Sequence, residues 1–180
     1  MNRPKINLRE INIKDKTDRL MVWNSNRFNF EKWRNEKKGC RQFCDFLWQP
    51  AIKPYDLQTK RLWIYYVNKP ENKLKYIFEI KTFRPGELPT DPECHNEDCC
   101  EENRKFNQRK YRAEGGKIYE YAYGLTLIYE FKKGNSLAEI QKYKHEKSGK
   151  GLFVPQPTRS HVYIGSYREL VEDIKTGKIS

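Results

Sequence analysis

The chain predicts an α+β fold, with five or six strands curled into a barrel and short helices around it. Three observations carry that expectation. Short alternating apolar stretches recur between polar loops, a few segments keep helical spacing, and neither an internal repeat nor a heptad array is present. With 180 residues the chain suits one domain, 1–180, large enough to bury a core without disulfide or metal staples. Only 37% of residues are hydrophobic while 14% are aromatic, so Tyr, Phe and Trp must serve both core and surface.

The elements follow in order. Asn7 to Ile13 alternates in the manner of an edge strand, and Leu20 to Trp23 is a short strand that runs into the polar turn Asn24-Ser25-Asn26. Phe30 to Trp48 has roughly helical spacing interrupted at Gly39, which predicts two short helices, the second ended by Pro50 and Pro54. Leu62 to Val67 is bulky on both faces, as an inner strand covered on both sides requires, and Tyr76 to Lys81 is its expected hairpin partner. A long polar insertion spans residues 84–116, where Pro85, Pro89 and Pro92 discourage regular structure. Ile118 to Phe131 is strand-rich and broken at Gly124. Ser136-Leu-Ala-Glu139 has capping-box spacing and predicts a short helix with Leu137, Ile140 and Tyr143 inward. Ser166-Tyr-Arg-Glu169 repeats the spacing ahead of Leu170, Val171 and Ile174, with Gly177 as the stop, and Val162 to Ile164 is the last strand.

Charge narrows the function. The net charge is +12, yet between Arg84 and Arg104 lie seven acids and no lysine or arginine, so the rest of the chain is more basic still. Such an excess favours a polyanionic partner, with affinity that falls steeply in salt; solubility alone is the plainer reading. No run of apolar residues is long enough to span a membrane, and Met-Asn-Arg-Pro-Lys lacks an apolar signal region. Five cysteines without an export signal read as mostly reduced thiols, so a cytoplasmic protein is expected.

Trp23-Asn-Ser-Asn, Asn29-Phe-Glu-Lys-Trp33 opening a helix, Ile52-Lys-Pro-Tyr-Asp56 and Leu62-Trp-Ile-Tyr-Tyr-Val67 follow one another in an order that resembles the PUA-like superfamily. EVE domains are most similar, with YTH domains next. Gly124 to Phe131 and Tyr163-Ile-Gly-Ser-Tyr-Arg-Glu-Leu170 fit the same topology, so the resemblance covers Leu20 to Ile174. Two departures stand out: Tyr55 replaces the glycine of the family turn, and the insertion is unusually long. The resemblance implies an aromatic pocket for a flipped or unpaired base, often a methylated one. It also implies a possible role as the DNA-reading module of a modification-dependent restriction system, with fused or partner motor subunits of the McrB type and a nuclease. No Walker A motif occurs in this chain, so a motor would have to be supplied elsewhere.

Extruding a base costs a few kcal/mol, which a stacking ring and edge hydrogen bonds must offset. Trp23 matches the position where YTH-like relatives carry a cage tryptophan. Asn24, Ser25 and Asn26 supply edge hydrogen-bonders beside it, and Trp48, Trp63, Tyr65 or Tyr121 could form a second wall. Trp23 and Trp63 serve equally well as core rings. Candidate phosphate contacts are Arg27, the run Arg104, Lys105, Arg109, Lys110 and Arg112, and then Lys147, Lys150 and Arg159; a solvated loop is the bland alternative for the run. An RNA reader of EVE or YTH type stands beside the DNA reading.

Other chemistries have thinner support. Cys94, His95, Cys99 and Cys100 are zinc-ligand types, but their spacing matches no common zinc module, and a disulfide from Cys94 to Cys99 or Cys100 is an equal alternative. No cofactor is implied. Glu79-Ile-Lys81 holds half of a metal-dependent nuclease pattern, with Asp56 or Asp45 as the upstream acid, although Glu-x-Lys on a strand is common by chance. The acidic loop 87–102 could instead dock a basic protein partner. The favoured expectation is a binding module without turnover.

Overall fold

The computed structural model describes residues 6–26, 29–32, 46–51, 54–68, 71–85, 121–152 and 162–179. They form β1 (Asp18–Asn24), β2 (Phe46–Ala51), β3 (Arg61–Asn68), β4 (Glu71–Pro85), β5 (Tyr121–Ser136), α1 (Leu137–Ile140), β6 (Val162–Tyr163) and α2 (Arg168–Thr176), with 3-10 turns at Leu8–Glu10 and Ile164–Ser166. The chain divides into two compact units. The first comprises Met1–Asn29, Gln58–Glu79 and Leu127–Ser180, and the second Phe30–Leu57 and Ile80–Thr126.

The first unit carries a curled sheet that does not close, with strands in the order β5-β4-β3-β1-β6. The fold is therefore α+β, with the curl expected of a barrel but open edges. β1 and β3 run parallel, from Asp18 opposite Arg61 to Asn24 opposite Val67, whereas β1–β6 and β3–β4 are antiparallel. Residues 62–66 of β3 are all buried, as the bulk on both faces predicted. One face packs Leu20, Trp63, Tyr65, Leu74 and Ile77 against Leu8, Ile11, Ile140, Leu152, Tyr167, Leu170, Val171 and Ile174. Burying each such side chain contributes roughly 1.5–3 kcal/mol, so this cluster dominates the unit's stability.

Several elements differ from expectation. Asn7 to Ile13 is not an edge strand: the Asn7 side chain accepts from the Arg9 backbone N–H, which starts a 3-10 turn with Leu8 and Ile11 inward. The second helix expected before Pro50 is replaced by β2, which pairs antiparallel with the first half of β5 in the second unit, from Phe46 opposite Thr126 to Ala51 opposite Tyr121. Pro50 fits because β2 ends the strand order, and an edge strand tolerates a missing donor. Residues 30–32 are helical; the rest of that first expected helix lies outside the described residues. β4 runs on to Pro85, and β5 continues unbroken through Gly124.

Around α1 the capping box forms as predicted. The Glu139 carboxylate accepts from the Ser136 N–H at 2.6 Å and hydroxyl at 2.7 Å, and the Glu139 N–H donates to Ser136 Oγ at 3.4 Å. Ile140 is fully buried, Tyr143 is half-buried beyond the helix, and Leu137 turns outward, 37% exposed, because so short a helix has one inward position. The second capping box does not form. Ser166 lies in the 3-10 turn and donates to Asp15 instead, while Tyr167 precedes α2 without a side-chain cap. Gly165 explains this: a Cβ there would lie 2.3 Å from the Lys14 carbonyl oxygen, so the two backbones meet and hold the turn tight. Gly177 ends α2 in the left-handed region, φ 77°, as expected.

Candidate nucleic-acid interface

Register decides which aromatic residues can act together. Residues aligned on neighbouring strands point to the same face, and successive residues alternate. Trp23 aligns with Tyr66, and two positions earlier Met21 aligns with Ile64, which in turn faces Tyr76 of β4. Trp23, Tyr66, Tyr76 and Phe78 thus share one face of the sheet. Their rings interlock: Trp23 lies 5.0 Å from Phe78, Tyr66 is edge-on to Tyr76 at 5.7 Å, and Tyr76 is edge-on to Phe78 at 6.3 Å. All four are buried, Trp23 the least so at 6% exposure.

Trp63 and Tyr65, proposed from sequence as a second wall, are on the opposite face. Trp63 is fully buried, packs 5.9 Å from Phe131, and donates its indole N–H to Asp18 at 2.8 Å. Asp18 is itself fully buried and takes a bidentate pair from Arg61, Nε at 2.6 Å and Nη2 at 2.8 Å, as well as the Thr17 hydroxyl. An ionised carboxylate there is tolerable because every bond it accepts is charge-assisted or donated by a fixed group. The Tyr65 hydroxyl donates to the Asn72 carbonyl at 3.0 Å. Burial pushes that hydroxyl's pKa up, opposed by a backbone hydrogen bond from Leu137. Both rings therefore hold the core that supports β1 and β3. Trp48, opposite Gly124, and Tyr121, half-exposed opposite Ala51, belong to the second unit.

Asn24, Ser25 and Asn26 do adjoin Trp23, at the carboxyl end of β1. Asn24 Oδ1 accepts from the Asn26 N–H at 2.9 Å, an Asx turn that reverses the chain. Ser25 is tied to β3 twice, by its N–H to the Val67 carbonyl at 2.9 Å and by its hydroxyl to Asn68 Oδ1 at 3.3 Å. Asn29 Oδ1 accepts from the Tyr66 hydroxyl at 3.3 Å. The result is a turn of amides and a hydroxyl that directly follows Trp23 in β1, with Asn24 on the alternate face and Asn26 exposed. A β-bulge between Ile64 and Tyr65 leaves Lys75 as the extra residue of β4, with its ammonium 5.4 Å from the Tyr76 ring and 6.0 Å from Tyr66, within cation–π range.

Sequence reasoning missed Tyr66, Tyr76, Phe78, Asn29, Asn68 and Lys75. The alternation of β3 was visible, but which of its faces Trp23 shares depends on a parallel register that no local signal encodes. Of the phosphate candidates, Lys147 and Lys150 are exposed on a tight loop, closed by His145 N–H to Lys150 O and by Leu152 N–H to Tyr143 O, both at 2.8 Å. His145 Nδ1 accepts from the Lys147 and Ser148 N–H groups, and its ring is edge-on to Tyr167 at 5.4 Å. Arg27, Arg104, Lys105, Arg109, Lys110, Arg112 and Arg159 lie outside the described residues, as do Cys94, His95, Cys99, Cys100 and the acidic loop. Glu79 is half-buried opposite Arg61 and Lys81 is exposed on the same strand. Among the described residues, no three His, Cys, Asp or Glu side chains gather as metal ligands, and no helix is long and apolar enough to cross a membrane.

No protein-family model and no curated protein matches the chain. Among solved structures it is similar to the ASCH protein of Zymomonas mobilis, at 12% identity and TM-score 0.48 over 92% of this chain and 98% of that one. It is also similar to a Pseudomonas syringae protein, at 16% identity and TM-score 0.45, covering 87% and 99% of the two chains. The YTH domain of a Zygosaccharomyces rouxii protein, solved in complex with N6-methyladenosine RNA, gives 10% identity and TM-score 0.45 over 92% of each chain. Scores at this level mark a general likeness in the course of the chain.

Proposed function

We propose that this chain is a nucleic-acid-binding module that reads a modified or extruded base and performs no chemistry on it. The observation that carries the reading is the shared face of Trp23 and Tyr66 beside the Asn24–Asn26 turn. The turn offers amide groups to a base edge, and the least buried of the four rings stands next to it. Amides suit this task because a paired donor and acceptor match the edge of a base, adenine above all. A methyl on the base would sit against a ring and add apolar contact. The net charge of +12 supports phosphate contacts that supply the rest of the affinity. DNA is the favoured target, and the module would then serve a modification-dependent restriction system whose motor and nuclease are separate parts.

The test is fluorescence anisotropy on matched DNA duplexes, unmodified or carrying 5-methylcytosine or N6-methyladenine, with RNA counterparts. Wild type is expected to prefer one modified duplex, and Asn26→Ala and Trp23→Ala to lose that preference while keeping salt-sensitive binding. Asn26 is exposed, so its variant tests reading without disturbing the core. Equal binding to every probe would reduce the function to a basic surface, and a preference for modified RNA would assign the module to RNA.

A further inference from the structure

The topology of the first unit gathers four chain segments at one end of the sheet. β1 and β3 are parallel and both finish there, at Asn24 and Asn68; β4 starts there at Glu71; and β5, running against β4, finishes there at Ser136 before α1. The meeting of β4 and β5 is close: a Cβ added to Gly134 would lie 2.9 Å from the Lys73 Cβ and 3.0 Å from the Leu74 carbonyl oxygen. Ser25 bonds to Asn68 at the end of β3, and the Tyr65 hydroxyl to Asn72 at the start of β4, so the three strands are tied together at this end.

Lysines line this end away from the amide turn. Lys132, Lys133 and Lys142 are exposed, and Lys73 is half-exposed. Lys142 and Lys73 both act electrostatically on Glu139, which brings β4, α1 and the residues after it into one neighbourhood. Glu139 stands beside these lysines, and its carboxylate is already engaged by Ser136. The far end of the sheet also has exposed lysines, Lys14, Lys16 and Lys60, but there the neighbouring polar group is the sealed Asp18–Arg61 pair instead of an amide turn. Charge alone does not choose an end. Amides and lysines together do.

We propose that the phosphodiester backbone of the DNA strand carrying the recognised base runs across this end of the sheet, from the Asn24–Asn26 turn past Asn68 and Asn72 to Lys73, Lys132 and Lys142. The inference rests on the base-reading function proposed above and adds the direction of the strand. Three strand spacings of ~4.8 Å separate β1 from β5, a reach of about 14 Å. At ~3.4 Å of duplex axis per phosphate of one strand, a duplex whose axis follows that reach presents about four phosphates to it.

The test compares two charge-matched double variants of the full chain, Lys132→Glu with Lys142→Glu, and Lys14→Glu with Lys60→Glu at the opposite end. Each is titrated by anisotropy with the preferred modified DNA between about 50 and 200 mM salt, the range in which phosphate contacts register. Melting by circular dichroism checks that both remain folded. The first variant is expected to lower the slope of log K against log salt by about 1.8, two duplex contacts at ~0.9 each, and to keep the preference for the modified base. The second is expected to keep the wild-type slope. Equal slopes in the two variants, whether both reduced or both unchanged, would overturn the strand path while a retained base preference left the base reading standing. Wild type that binds no DNA would overturn both.

Discussion

Asp18 is the residue on which most of the first unit's polar order converges. It has no exposed surface and it joins Thr17, Arg61 and Trp63, that is, the start of β1 to the start of β3. Replacing this carboxylate by an amide leaves a partly buried guanidinium without its counter-charge, a loss of ~1.5–3 kcal/mol for a charged hydrogen bond. Asp18→Asn should therefore lower the urea midpoint strongly without changing the expected base preference, since Asp18 is on the face away from Trp23. Tyr143 gives a second residue-scale prediction. Burial and its hydrogen bond to Asp173 push its pKa from the ordinary 10 up to about 12. The folded state holds that proton more tightly than the unfolded chain, so its contribution is complete below pH 10 and is lost between pH 10 and 12. Urea midpoints measured across that window should fall with pH, less steeply in Tyr143→Phe. Tyr65, Tyr129 and Tyr167, whose hydroxyls burial also pushes up, contribute to the slope that remains.

At the scale of elements, two identical local patterns had different outcomes. Ser136 and Glu139 close a capping box, whereas Ser166 and Glu169 do not, because Gly165 is held against Lys14. Ser136→Ala should cost about 1 kcal/mol of unfolding free energy and Ser166→Ala under ~0.5, a contrast that denaturant titration resolves. The same contrast explains what could be read in advance. β1, β3, β4 and β5 were legible because alternation is a local signal, as was the stop of α2 at Gly177. β2 was not, since Phe46, Leu47 and Trp48 fit the helical spacing begun at Phe30 and only pairing with β5 makes them a strand. Of the candidate site, Trp23 and the Asn24–Asn26 turn were visible as an apolar strand running into amides. Tyr66, Tyr76 and Phe78 were not assigned to it, because a one-residue change in register moves every ring to the other face.

For the whole molecule, the parallel pairing of β1 with β3 sets the order in which the chain can fold. β1 ends at Asn24, but its partner on one side starts at Arg61 and its partner on the other, Val162 opposite Leu20, comes far later in the chain. Neither edge of β1 can be satisfied by a neighbouring hairpin, so the strand waits for distant segments while β3 and β4 close locally. Contacts of such sequence separation slow folding, because loop-closure entropy precedes their reward. Stopped-flow refolding should show β3–β4 formation ahead of Trp23 burial, with Trp23 fluorescence, isolated by replacing the other three tryptophans with phenylalanine, changing after the backbone signal. A chain ending before Val162 would leave Leu20 and Arg19 on an unpaired strand edge, a template for association between copies. Aggregation of such truncated chains, measured by light scattering, is the expected consequence of placing the tryptophan strand between two late partners.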